Sequence, residues 1–336
     1  MTQKIHEKEQ LLIPDAVLQV ADAEDHTITR KGMLAHKQKL VELRQLTHAE
    51  TRGMRSGDEK NALYRQIRDF NDDEHSVEKE LKEHFIPQHG PSQFISPRAF
   101  FVSSLFRPSP ENTPRAAAVR IDLPARASSQ KLRYEGPELK QSDALVFMTL
   151  LNMMRDVRTG TSVSIRPAEV CKAIFGRYDG HSRIKLQQHI SRLQKGVIVF
   201  ESLRINVQLC LRFEYPKTGP WTVCLDPDIV RVFQASPETW LRMAPRLALP
   251  SGLATWLFSY IESQTRLIPM PIQNVLELCG SGSEIDAFSN RLRAALTHLS
   301  AAKIIESGWS IKDGTLRWKK FRDFHDSDTA IALGHG

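Results

Sequence analysis

The feature that most constrains this 336-residue chain is a junction at residues 180–225, where a short basic helix runs directly into β-rich sequence. Leu186, Ile190 and Leu193 recur at helical spacing as a candidate buried stripe. Arg183, Lys185, Gln187, Gln188, Arg192 and Lys195 are left on the flanks and the opposite side, and Gly196 is a natural stop. Segments rich in β-branched and aromatic residues follow at 197–200, 205–215 and 221–225, the last two separated by the turn sequence PKTGP. By itself this order fits an ordinary solvated helix beside a hairpin as well as it fits a helix that reads DNA with its wing.

The same order occurs twice, and recurrence is hard to obtain by accident. The first half reads as a strand at 131–139, a helix at 142–155 with Asp143 in its first turn, a strand at 163–165, a helix from Pro167 to about 174, a turn, the basic helix and the hairpin. In the second half Ser251 is placed to cap a helix over 252–263, an extended piece covers 267–270, Pro271 opens a helix ending near Cys279, and residues 280–283 turn the chain. Ile285, Phe288, Leu292, Ala295, Leu296 and Leu299 then line one helical face, with Asn290, Arg293 and Thr297 opposite and Arg291 at the edge. A second wing is expected from 304–309 and 315–320, joined at Lys312, Asp313 and Gly314. Helix, strand, helix, turn, helix, hairpin is winged-helix order, so the expected class is α+β, with tandem winged helices over 131–235 and 236–320.

What precedes and follows them differs in character. Residues 1–90 are charged and read as helical, with a heptad-like pattern over 58–85 that fits either a helical pair folded back on the body or a dimerisation arm. Residues 91–130 read as a Pro-rich linker with one apolar island, AFFVSSLF at 99–106, suited to covering a core or docking in a partner groove. Residues 321–336 read as a flexible tail.

Composition narrows the chemistry. Lys and Arg number 46 against 39 Asp and Glu, a net charge of +7 that suits a polyanionic partner. The four cysteines, Cys171, Cys210, Cys224 and Cys279, lie far apart in apolar surroundings and form no metal-ligand spacing, so reduced buried thiols in the cytoplasm are expected. No apolar run approaches the roughly 20 residues that span a bilayer, so no membrane partner is expected. A phosphate-binding GxxxxGK[ST] loop, an HExxH motif and a His-x-His motif beside a tyrosine are all missing, so neither a cofactor nor a catalytic residue is expected.

Short motifs now carry a resemblance. Tyr134, Gly136, Glu138 and Leu139, then Asp143, Leu145 and Val146, resemble the entry to the first domain of the TrfA-type plasmid replication initiators. Gly176, Arg177 and Tyr178 are similar to that family's GRY turn, Ser191 to Gln194 to its SRLQ segment, and Leu278, Cys279, Gly280, Ser281 and Ser283 to its LCGSxS turn. The residues before the GRY turn, Ile174 and Phe175, depart from the family's pattern, and residues 1–90 show no counterpart. The resemblance covers roughly 130–320. It implies a non-enzymatic protein that binds iterons in a plasmid origin, helps open AT-rich DNA, and recruits the host helicase and sliding clamp. Monomers of such proteins bind iterons, and homodimers limit copy number.

The candidate DNA-binding residues are Arg177, Arg183, Lys185, Gln188, Arg192 and Lys195 in the first module and Asn290, Arg291, Arg293, Lys319 and Lys320 in the second. The partners expected are double-stranded origin DNA and single-stranded AT-rich DNA; a winged-helix transcriptional regulator is the competing class. Lacking motifs for nucleotide or metal chemistry, the purified protein is expected neither to hydrolyse ATP nor to nick supercoiled origin DNA with magnesium. Recovery of a covalent tyrosine–DNA adduct would overturn the initiator class.

Overall fold

The computed structural model describes residues 19–20, 29–52, 57–125 and 131–321. A short strand β1 (Gln19–Val20) precedes two long helices, α1 (Arg30–Arg52) and α2 (Asp58–His84), packed side by side. Across the pair Lys37 meets Glu78 at 2.5 Å and Arg44 meets Glu74 at 2.7 Å. The pair is rooted on the body. Arg30 N donates to Asp156 O at 3.1 Å, and the His84 carbonyl accepts from Thr159 N at 2.9 Å.

The Pro-rich stretch corrects one expectation. Instead of a linker it supplies β2 (Gln93–Pro97), α3 (Arg98–Phe101), β3 (Phe106–Arg107) and β4 (Val119–Leu123). Its prolines stop long helices but tolerate short strands and turns. Ala99, Phe100, Phe101, Leu105 and Phe106 are buried, so the apolar island covers core and is closed to a partner groove.

The first half continues with β5 (Leu132–Gly136), β6 (Leu139–Lys140), α4 (Gln141–Met153), β7 (Ser162–Ile165), α5 (Pro167–Phe175), α6 (Gly180–Lys195), β8 (Val197–Phe200), β9 (Ile205–Gln208), β10 (Arg212–Glu214) and β11 (Trp221–Cys224). Then come α7 (Ile229–Ala235), β12 (Glu238–Arg242) and α8 (Met243–Ala248). The second half holds α9 (Leu253–Glu262), β13 (Met270–Pro271), α10 (Ile272–Leu278), α11 (Ile285–Ala301), β14 (Ser310–Lys312) and β15 (Thr315–Arg317). This is a mixed α+β architecture.

Both halves contain the same small antiparallel sheet. The strand after the first helix pairs with the second strand of the closing hairpin, giving β7-β11-β10 in one half and β13-β15-β14 in the other. Three details differ from the sequence reading. The β-rich run after α6 is divided between sheets, because β8 and β9 extend β4-β5 while β10 and β11 join β7. The regular ladder of the second hairpin is confined to Ser310–Lys312 and Thr315–Arg317, and of the strand expected at 304–309 only the start pairs, through an isolated antiparallel bridge of buried Ile305 to Lys320. Gly252, at φ +110, takes the N-cap of α9 in place of Ser251.

β2 pairs with β12 and β3 runs parallel to β6, so the Pro-rich stretch stitches the halves together. Trp256 Nε1 donates to Ser103 O at 3.2 Å, and a Cβ on Gly280, whose φ is +65, would stand 2.5 Å from Ser104 Cβ. The buried core runs without interruption from Ile86 to Trp318.

Tyr134, fully buried, lies between two glycines and donates its hydroxyl to Pro137 O at 2.7 Å. A Cβ on Gly136 would sit 2.8 Å from the Tyr134 hydroxyl, and one on Gly196 2.8 Å from its ring. Gly196 keeps an extended backbone at φ −86, so its small size is required by the ring, not by helix termination. Gly136→Ala and Gly196→Ala are each expected to destabilise the fold by roughly 2 kcal/mol or more through overpacking. Thermal melts checking this would show a shift of several degrees; unchanged melting of both variants would refute the close packing.

Candidate nucleic-acid interface

Helix α6 begins where it does because Asp179 and Ser182 cap each other: Asp179 Oδ1 accepts from Ser182 N at 2.7 Å, and Ser182 Oγ accepts from Asp179 N at 2.8 Å. Leu186, Ile190 and Leu193 face inward and are fully buried, as their spacing predicts. His181, Ile184, Gln188 and Lys195 form the exposed stripe, and Lys185 is half-buried beside it.

Beneath α6 lies a charged hub in which Asp143 and Arg192, each part of a short motif, meet in a pairing the sequence did not announce. The Asp143 carboxylate is fully buried and accepts from Lys140 N (2.8 Å), Arg115 Nη1 (2.7 Å), Arg192 Nε (2.9 Å) and His189 Nδ1 (2.7 Å). A carboxylate can only accept, so His189 Nδ1 carries the hydrogen, and the 2.8 Å approach of Arg192 Nη2 to that nitrogen is a contact, not a second hydrogen bond. Burial alone would raise the Asp143 pKa; the hydrogen bond from His189 and the charges of His189, Arg192 and Arg115 outweigh it and hold the group at about 2. Arg192, expected to face DNA, is therefore corrected to a strut between α6 and α4. Its helical position fitted a flank, and only the fold brought Asp143 beneath it.

Arg183 is likewise engaged, donating from Nη2 to Pro216 O at 2.8 Å with its guanidinium 5.5 Å from the Trp221 ring centre. It ties α6 to the β10–β11 turn. Phe213, Tyr215 and Trp221 pack on one another there, and Tyr215 and Lys217 remain exposed. Arg177 lies exposed at the start of α6, 3.3 Å from Asp179.

In the second half α11 buries Phe288, Leu292, Ala295, Leu296 and Leu299, while Ile285, expected on that face, is exposed at the helix start. Asn290, Arg291, Arg293 and Thr297 are exposed. Arg291 donates to Ser281 Oγ at 3.0 Å and Ser283 Oγ at 2.5 Å, so both serines of the CGSGS turn serve to fix it. Lys319 is exposed; Lys320 is half-buried, and burial lowers its pKa.

The four cysteines are buried and free, and burial pushes the thiols of Cys171 and Cys279 up to about 11 and that of Cys210 to about 12. Among the described residues no cluster of His, Cys, Asp or Glu is placed to hold a metal ion, and no helix is long and apolar enough to cross a membrane.

Two small antiparallel sheets, one of four strands because β1 also pairs with β7 and one of three, each serve a helix with a polar outer face and define an α+β protein with a duplicated helix-and-hairpin unit. The model of the TrfA protein family matches residues 81–320, and the chain belongs to that family. It is 25% identical over 228 residues to the plasmid replication initiator protein TrfA of Escherichia coli, a match spanning 65% of this chain and 59% of the relative. The chain thus spans about three-fifths of the relative's length. A crystal structure of domains 2 and 3 of RctB superposes on 68% of this chain and 99% of its own, with a TM-score of 0.44 and 13% identity.

Asp143 supplies a pH test. Its pKa is depressed from 3.8 to about 2, so its contribution, roughly 2 kcal/mol, is present above about pH 4 and is lost as pH falls towards 2. Asp143→Asn is expected to lower unfolding free energy at pH 7 by at least that amount, with the gap closing towards pH 2. Urea titrations at both pH values check it; a gap independent of pH would exclude an ionised Asp143.

Proposed function

We propose that this chain is a plasmid replication initiator that binds repeated origin sequences through two winged helices, with α6 and α11 as the reading helices. The observation that carries this reading is the duplicated unit, in which β7-β11-β10 and β13-β15-β14 stand in the same relation to a helix with a polar, partly basic outer face. Membership of the TrfA family and the net charge of +7 support it.

Within this reading the residues divide by role. Arg177, Lys195 and Lys319, exposed at the ends of helix or hairpin, contact phosphates, displacing counterions and setting orientation. Gln188 and Asn290, whose amides donate and accept together, read adenine edges in the major groove, with Arg293 and Lys185 beside them. Arg183, Arg192 and Arg291 hold the reading elements in place through the contacts above. Two modules on one chain raise each other's effective concentration at a repeat. Opening of adjacent AT-rich DNA follows from bending and strand capture without nucleotide hydrolysis, and host helicase and clamp are recruited to the opened origin.

The test uses duplexes enriched by the full-length protein from a random-sequence pool. Asn290→Ala and Gln188→Ala are expected to relax specificity by about five- to a hundredfold at one or two base pairs, at different places for the two variants, with non-specific affinity nearly unchanged. Lys195→Ala and Lys319→Ala are expected to weaken all duplexes alike and make the slope of log K against log salt shallower by about 1 each. Variants that bind every duplex like the parent, at every salt concentration, would refute the assignment.

A further inference from the structure

The outward face of α6 carries an aliphatic residue at its centre. Ile184 is 54% exposed, and at about 100° per residue it lies directly opposite the fully buried Leu193. Its neighbours on that face, His181, Gln188, Ser191 and Lys195, are polar. A single exposed aliphatic is ordinary on a protein surface and means little alone. Three further observations narrow what this one meets.

Gln188 follows four residues later, so the two side chains are adjacent on the face, with Cβ atoms about 5–6 Å apart. Arg183, next to Ile184 in sequence, is drawn towards the hairpin by Pro216 O and the Trp221 ring, so its guanidinium is committed there. The second module pairs the same two chemistries: Asn290 faces outward on α11 with exposed Ala287 and Ala294 one turn to either side.

In the major groove an A·T pair offers two things to a helix: adenine N6 and N7 for an amide, and the thymine C5 methyl for an apolar group. The methyl is the base-edge group that rewards aliphatic contact. With base pairs stacked about 3.4 Å apart, side chains about 5–6 Å apart span neighbouring pairs.

Resting on the reading that α6 enters a major groove, we propose that Ile184 is a specificity-determining residue that packs against a thymine C5 methyl group while Gln188, one turn on, takes an adenine edge. The first module then selects an A·T-containing step partly by shape and desolvation, whereas the second, with Asn290 at its centre, relies more on hydrogen bonds. Ile184 lies outside the buried stripe, so truncating it leaves the fold intact, which thermal melting verifies.

The experiment starts from the duplex that the full-length protein enriches from a random pool, with each thymidine replaced singly by deoxyuridine, which deletes only the methyl. The parent is expected to bind about three- to tenfold more weakly at one or two of these positions and equally elsewhere. Ile184→Ala is expected to bind thymidine and deoxyuridine duplexes alike at those positions, with its salt slope unchanged, and Ile184→Val to restore part of the discrimination. Enrichment of a defined sequence with no thymidine-to-deoxyuridine effect anywhere would overturn this inference and leave the DNA-reading proposal standing. A deoxyuridine effect that persists in Ile184→Ala would assign the methyl contact to another residue. Failure to enrich any sequence would instead remove the DNA reading on which it rests. A change in sedimentation of Ile184→Ala, with no deoxyuridine effect in the parent, would mark the residue as a contact between copies.

Discussion

The arrangement of the first module depends on keeping one carboxylate ionised where water does not reach it. Stripping solvent from a charge costs several kcal/mol unless its lone pairs are filled. Asp143 meets that demand with one backbone N–H and three cationic or polarised side chains drawn from separate parts of the chain. Each partner is thereby fixed. Arg192 and His189 set the height and rotation of α6 over α4, and Arg115 pulls the Pro-rich stretch against the start of α4. Removing one partner would leave the others facing an uncompensated buried charge, so the geometry is specified jointly.

A second buried cation extends the same logic. Lys140 is 1% exposed, and its ammonium donates to Pro110 O at 2.6 Å, Thr113 O at 2.8 Å and Thr113 Oγ1 at 2.7 Å. Burial lowers its pKa, and the loop carbonyls substitute for lost water. Arg115 also meets Glu111 at 2.5 Å, which closes the loop on itself. A segment with too few apolar residues for a core of its own is thus ordered by wrapping charges that belong to its neighbour. From there β2 and β3 pair with strands of both halves, so two units that could have been joined by a tether share one core.

The halves repeat in sheet order while differing on the helical faces they present. α6 is buttressed by ionic contacts and tied to its hairpin through Arg183 and Trp221. α11 rests on a purely apolar stripe and holds the turn before it through Arg291 and two serines. One frame, built twice, thus presents two chemically different outer surfaces.

By itself the sequence determined the periodic helices, the turns between them and their order, but not the short elements at 93–123 and 229–248. Period-3.6 stripes such as Leu186, Ile190 and Leu193, the Pro167 helix start and the Asp313–Gly314 turn are local signals, and local signals survive without knowledge of the fold. It also supplied the duplication and, through short motifs, the family. Only the tertiary structure decided what each charge does. Arg183 and Arg192 look like Lys195 or Arg293 in a helical projection, yet they are bound by partners 33 and 49 residues away. The same holds for Gly196, whose reason is a tyrosine ring from another strand, and for residues 93–107, whose strands exist because β12 and β6 lie beside them. Pairing across distance depends on where the chain returns, and no window along the sequence contains that information.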